Sequence, residues 1–146
     1  MAQVTASSST SVDTAAEVVL GAIGDYTTVR PKILTEHYSN YRVVEGGIGS
    51  GTVVGWKLQA TKSRSRDCVM AVEQTESEIV ERDENSTMVT TWRVSPAGSG
   101  SEVTLTTSWQ GAGGIGGFFE KTFAPLGLKR SQAGMLANLV HELNRH

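Results

Sequence analysis

Few residues in this chain are of types that do chemistry, and they are scattered. The three histidines, His37, His141 and His146, share no metal-ligand spacing with one another or with the lone Cys68, so no metal site and no cofactor are expected. His37, in Glu36-His-Tyr38, is the histidine whose position allows general acid or base work near neutral pH. The plainer reading is an exposed loop histidine. No nucleophile elbow or oxyanion motif marks a serine or cysteine as a nucleophile. Gly47-Ile-Gly-Ser-Gly51 and Gly111-Ala-Gly-Gly-Ile-Gly-Gly117 lack the lysine of a phosphate loop. The first reads as a hairpin and the second as a hinge ahead of a helix.

A second set of residues suits binding better than catalysis. Read at a period of two, Trp56, Leu58, Cys68, Met70, Val72, Met88, Thr90, Trp92, Leu105, Thr107 and Trp109 fall on the inward faces of successive strands. Indole and thioether groups suit a roomy apolar pocket, with a few polar atoms to orient a ligand. Phe119, Phe123, Met135 and Leu139 would close it from the C-terminal side. The competing reading is that all of these are ordinary core. Glu45 and Glu81 are the only carboxylates that could point inward.

These residues must be positioned by a sheet and one long helix. Met135, Leu136, Leu139, Val140 and Leu143 share one face of a helix over Lys129–Arg145, with Arg130, Gln132, Asn138, Glu142 and Arg145 mostly opposite. Residues 3–10 read as a polar-faced first strand. Ser11 then reads as the N-cap of a helix that Gly24 ends, and Pro31–Thr35 as a short second helix. Strands follow over Tyr41–Glu45, Thr52–Thr61, around Cys68–Glu73, over Ser77–Arg82, and around Met88–Val94 and Val103–Trp109. Turns are expected at Asp83–Ser86 and Pro96–Gly100, and Pro125 reads as a break before the last helix. Segregated strands and helices argue for an α+β fold with an antiparallel sheet.

Composition sets the outer limits. The 146 residues fit a single domain spanning 1–146, with 38% hydrophobic and 19% charged residues. A net charge of -2 offers no basic excess for nucleic acid. Lys62, Arg64 and Arg66 form a small basic loop, read as a solvated hairpin tip with docking of an acidic partner as the alternative. The N-terminal residues lack a signal-peptide pattern and no apolar run reaches membrane-spanning length. With one cysteine, a cytoplasmic location is expected. Nothing in the sequence sets the oligomeric state.

Three stretches carry a family resemblance. They are Ser11-Val-Asp-Thr-Ala-Ala-Glu-Val-Val19, Val44-Glu-Gly-Gly-Ile-Gly-Ser-Gly-Thr52, and Pro96-Ala-Gly-Ser-Gly-Ser-Glu-Val-Thr104. In this order the chain resembles the helix-grip fold of the START/Bet v 1-like (SRPBCC) superfamily, in its bacterial polyketide cyclase/dehydrase branch. The resemblance implies a curved seven-stranded antiparallel sheet wrapped around a long C-terminal helix, with two short helices after strand 1 and an apolar cavity. It implies binding or transport of a small hydrophobic molecule such as a lipid, polyketide or aromatic metabolite. The alternative is a cyclase or aromatase-like enzyme, in which Thr90, Thr107, His37 or Tyr41 would handle protons. A protein-interaction module is the second alternative. The aromatic residue expected after the first helix is Tyr26, whereas the tryptophan many relatives show a few residues later is missing.

Overall fold

A computed structural model describes residues 3–59, 65–110 and 125–144. The period-two segments form seven strands: β1 Gln3–Val12, β2 Tyr38–Glu45, β3 Val53–Gln59, β4 Ser65–Gln74, β5 Glu78–Asp83, β6 Val89–Ala97 and β7 Gly100–Gln110. They make one curved antiparallel sheet in the order β1-β7-β6-β5-β4-β3-β2. Helices α1, Ala16–Ile23, and α2, Arg30–Ile33, sit between β1 and β2. The long helix α3, Pro125–Leu143, follows β7 and packs on β1, β7, α1 and α2. This is the helix-grip architecture the sequence implies.

The buried faces follow from the alternation. On β3, Val54, Trp56 and Leu58 are buried; on β4, Cys68, Met70 and Val72; on β7, Val103, Leu105, Thr107 and Trp109. Each apolar face turns toward α3, which buries Leu128, Met135, Leu136 and Leu139. Burial on this scale is the main favourable term in folding.

Several boundaries differ from expectation. Ser11 is not a helix cap: β1 runs on to Val12, because its ladder with β7 continues to the Val12–Ser101 pair. Helix α1 begins after Ala15, which makes no side-chain cap. Strand β2 starts at Tyr38, three residues early, because Tyr38 pairs with Leu58. Strand β6 extends through Pro96, and the turn falls at Gly98, whose φ of 61° favours glycine. Pro125 opens α3 rather than breaking the pattern, as proline does at a first helical position. Gln132 and Glu142, expected mostly opposite the buried stripe of α3, are both buried. The expected Gly111–Gly117 hinge lies outside the described residues, as do Phe119 and Phe123.

The glycine-rich β2–β3 hairpin has a structural job. Its backbone holds the segment after α1, through Tyr26 N–H to Gly47 O at 2.9 Å and Gly49 N–H to Gly24 O at 2.9 Å. Gly47 has φ 144°, and a Cβ there would stand 2.6 Å from Thr27 Oγ1. Glycine is therefore required for this approach. The Asp25 carboxylate accepts from Thr28 N–H at 2.9 Å and Thr27 N–H at 3.2 Å. That local turn aims the start of α2, and hence Arg30, at the sheet.

Candidate functional site

Between the sheet and α3 lies a cavity whose wall is mostly apolar. Trp56, Leu58, Met70, Met88, Leu105 and Met135 line it, as the alternation places them. Thr90 and Thr107 join them, with Thr90 Oγ1 and Thr107 Oγ1 hydrogen-bonded at 3.0 Å. The cavity is smaller than the roomy pocket expected, at about 20 Å³. That is room for about one water. Packed methionine, leucine and tryptophan side chains occupy the rest.

The other expected residues lie elsewhere. Trp92, Trp109 and Leu139 are fully buried in the core but do not line the cavity. His37 is half-buried in the turn before β2, where its Nδ1 meets Thr35 Oγ1 at 3.2 Å. Tyr41 donates to Tyr26 O at 2.5 Å and stacks on Trp56, with ring centroids 6.4 Å apart. Neither His37 nor Tyr41 lines the cavity. Glu45 is exposed, so it is not an inward carboxylate. Arg66 ties the β4 end to the next turn, with Nη2 donating to Asn85 O at 2.6 Å. Lys62 and Arg64 lie outside the described residues, and the region holds no cluster of potential metal ligands among those described.

The feature that sequence reasoning missed is a buried ion pair in the cavity wall. Arg30 Nη1 donates to Glu81 Oε2 at 2.6 Å, with the two side chains 1% and 2% exposed. Tyr26 OH donates to the same Oε2 at 2.5 Å. Arg30 Nη1 also reaches Ile23 O at 3.3 Å. The guanidinium sits between two rings, 4.7 Å from the centroid of Tyr26 and 4.9 Å from that of Trp92, a favourable placement for a desolvated cation. Burial by itself favours loss of the Arg30 proton, but the adjacent Glu81 carboxylate and Tyr26 outweigh it and hold Arg30 charged beyond its ordinary range. Burial and Glu81 push the Tyr26 phenol well above its usual value.

Four further residues, Leu34, Tyr38, Leu128 and Gln132, complete the wall. Leu34 and Leu128 are apolar, and Tyr38 packs edge-on against Trp56 at 5.8 Å. Burial pushes the Tyr38 phenol up to about 12. Gln132 is clamped on all sides: Nε2 donates to Ala6 O at 3.1 Å and Thr107 Oγ1 at 3.4 Å, and Oε1 accepts from Ser8 Oγ at 3.1 Å. Its position was legible, because Gln132 stands three and four residues before Met135 and Leu136 on the buried stripe. Arg30 left no such signal.

A seven-stranded sheet gripping one long helix around a cavity defines a helix-grip protein of the Bet v 1/SRPBCC superfamily. The profile of the polyketide cyclase / dehydrase and lipid transport family matches residues 1–144, and the chain belongs to that family. The solution structure of KanY protein is 54% identical over 99% of both chains, with a TM-score of 0.89. Zhui aromatase/cyclase from Streptomyces sp. R1128 shares the fold at 15% identity and a TM-score of 0.76, over 99% of this chain and 95% of its own. Major latex-like protein 151 from Panax ginseng does so at 12% identity and 0.71, over 96% and 97%. No curated protein sequence matches the chain significantly.

Proposed function

We propose that this protein binds a small hydrophobic molecule between the concave face of its sheet and α3. The observation that carries this reading is an ion pair 1% and 2% exposed in the wall of an otherwise apolar cavity. Desolvating both charges costs several kcal/mol that a hydrophobic pair of the same volume would avoid. Its presence at a cavity suits a recognition role. The small present volume is compatible with binding because Met70, Met88 and Met135, three of the four methionines in the chain, line the cavity. Unbranched thioethers repack at low cost. Family membership supports the same reading.

Mass spectrometry under native and denaturing conditions tests it. The expected result is a discrete apolar molecule at about one per chain, or quenching of Trp56 fluorescence when apolar aromatics are titrated. An empty protein whose fluorescence no such compound changes would defeat the reading.

A cyclase-like enzyme is the second reading, favoured by the polar groups gathered at one cavity. Arg30 and Glu81 enter that list beside Thr90 and Thr107, whereas His37 and Tyr41 leave it. A protein-interaction role has less behind it, since the exposed large apolar side chains are Val18, Val43, Val44 and Ile48 among the described residues. No described helix is long and apolar enough to cross a membrane. The buried free thiol of Cys68, which burial and then Asp83 push up to about 12, fits a reducing, cytoplasmic setting.

A further inference from the structure

Counting donors and acceptors around the cavity gives an imbalance. A guanidinium has five N–H donors and no acceptor. Arg30 Nη1 donates to Ile23 O and Glu81 Oε2, whereas its buried Nε has no partner among the described residues. The neighbouring Trp92 Nε1 is also buried, with no acceptor among the described residues. Across the cavity, Gln132 already donates to Thr107. The Thr90–Thr107 contact uses one hydroxyl proton of the two, so the other is free whichever residue donates. Buried donors left unpaired are costly, and these lie in or beside the wall of one cavity.

Charge adds a second restriction. Arg30 is the one lysine or arginine lining the cavity among the described residues, and Glu81 already balances it. An anionic ligand would meet a neutral pair with a carboxylate in it, and would lose its own hydration without gaining a free countercharge.

We infer that the polar end of this cavity selects ligands with a neutral oxygen acceptor, such as a ketone, ester or lactone carbonyl, on an apolar body. It discriminates against free carboxylates and against plain hydrocarbons. Arg30 and the Thr90–Thr107 pair supply the donors, and Glu81 sets the charge that excludes acids. The inference rests on the cavity being the binding site.

Three ligands of nearly one shape test it on the full chain: acetophenone, benzoate and ethylbenzene, titrated at neutral pH and followed by the ¹H–¹⁵N signals of the Trp56 indole and Arg30 Nε–H. The expected order is acetophenone about tenfold or more tighter than either of the others, with the Arg30 Nε–H signal moving for acetophenone only. Equal binding of ethylbenzene would overturn the polar selection while leaving the cavity reading intact. Binding of benzoate as tight as acetophenone would overturn the charge argument. If none of the three binds, the cavity reading fails and this inference with it. Glu81→Gln removes the countercharge, so a folded E81Q protein should gain at least several-fold affinity for benzoate; no gain would also overturn the argument. If E81Q does not fold, the wild-type comparison still decides.

Discussion

Glu81 and Asp83 stand two residues apart on β5, point to the same side of the sheet and are 1% and 6% exposed. Their environments have nothing else in common. Asp83 is satisfied by its own neighbourhood: Oδ1 accepts from Val69 N–H at 3.0 Å and Asn85 N–H at 3.1 Å, and Oδ2 from Ser86 Oγ–H at 2.6 Å. Its charge is spread over neutral dipoles of the adjacent strand β4 and of the β5–β6 turn. Glu81 is satisfied by a cation from another element, 51 residues away in sequence, and it faces the cavity. Burial alone therefore does not mark a functional carboxylate. What separates the two is whether the partner is a local backbone group or a remote charge whose own donors are left over.

Removing that remote charge gives the largest expected effect. Arg30→Met leaves Glu81 buried and uncompensated, and should destabilise the protein by about 3–5 kcal/mol, measured by urea denaturation. Replacing both partners, in Arg30→Met with Glu81→Leu, should recover most of that loss, because two apolar groups desolvate without penalty. The double variant should also lose preference for carbonyl ligands while keeping apolar ones. A single variant costing under about 1 kcal/mol would mean that Glu81 is no more demanding than Asp83, and the contrast would collapse.

The same pair governs how the protein meets alkali. All three tyrosines, Tyr26, Tyr38 and Tyr41, lie around the Arg30–Glu81 network, and burial raises each of them, Tyr38 and Tyr41 to about 12. A phenol whose folded pKa is raised stabilises the fold fully below its unfolded pKa near 10. That contribution is lost as pH climbs toward 12. Absorbance at 295 nm should therefore stay flat through about pH 10–11 in the native protein and rise only with unfolding, whereas in guanidinium all three ionise near pH 10. A native step near pH 10 would show that water reaches the network.

How much of this was legible in the sequence follows the same division. The Asp83–Ser86 turn was readable because its partners are local and turn chemistry has a composition. Trp56, Met70 and Leu105 were placed inward by alternation, since a period of two leaves little choice once one face is buried. Arg30 was not readable: α2 has four residues, too few to show a period, and its partner is set by tertiary packing. Gln132 could have been found, because spacing put it on the buried stripe and only its polarity argued otherwise. The cavity volume was out of reach of any pattern, since it depends on how side chains fill a space.

At Asp83 the loss should be smaller. Asp83→Ala strands the Val69 N–H on β4 and the Asn85 N–H and Ser86 hydroxyl in the β5–β6 turn, at an expected cost of about 1–3 kcal/mol. Ligand affinity should not change, since Asp83 does not line the cavity and none of the groups hydrogen-bonded to its carboxylate, on Val69, Asn85 and Ser86, does so either. Urea denaturation reads the first quantity and the ligand titration the second. A loss of binding together with normal stability would make Asp83 part of the site and erase the distinction drawn above.

The smallest effect isolates burial as the cause. Strand β5 carries a third acid, Glu78, whose Oε2 meets Arg93 Nη1 at 2.7 Å, almost the separation of Glu81 and Arg30 at 2.6 Å. Here, however, the side chains are 61% exposed for Arg93 and 30% for Glu78. Water screens the attraction and hydrates either partner when the other is lost. Arg93→Ala should therefore cost at most about 0.2–1 kcal/mol, and the difference should shrink further in 1 M salt, where the Debye length falls to about 3 Å. The Arg30→Met loss should barely respond to the same salt, because ions do not enter the site. If both variants lose stability equally and both losses vanish in salt, then geometry rather than burial sets the energy of these pairs. The cavity wall would then hold no charge pair under strain for a ligand to relieve.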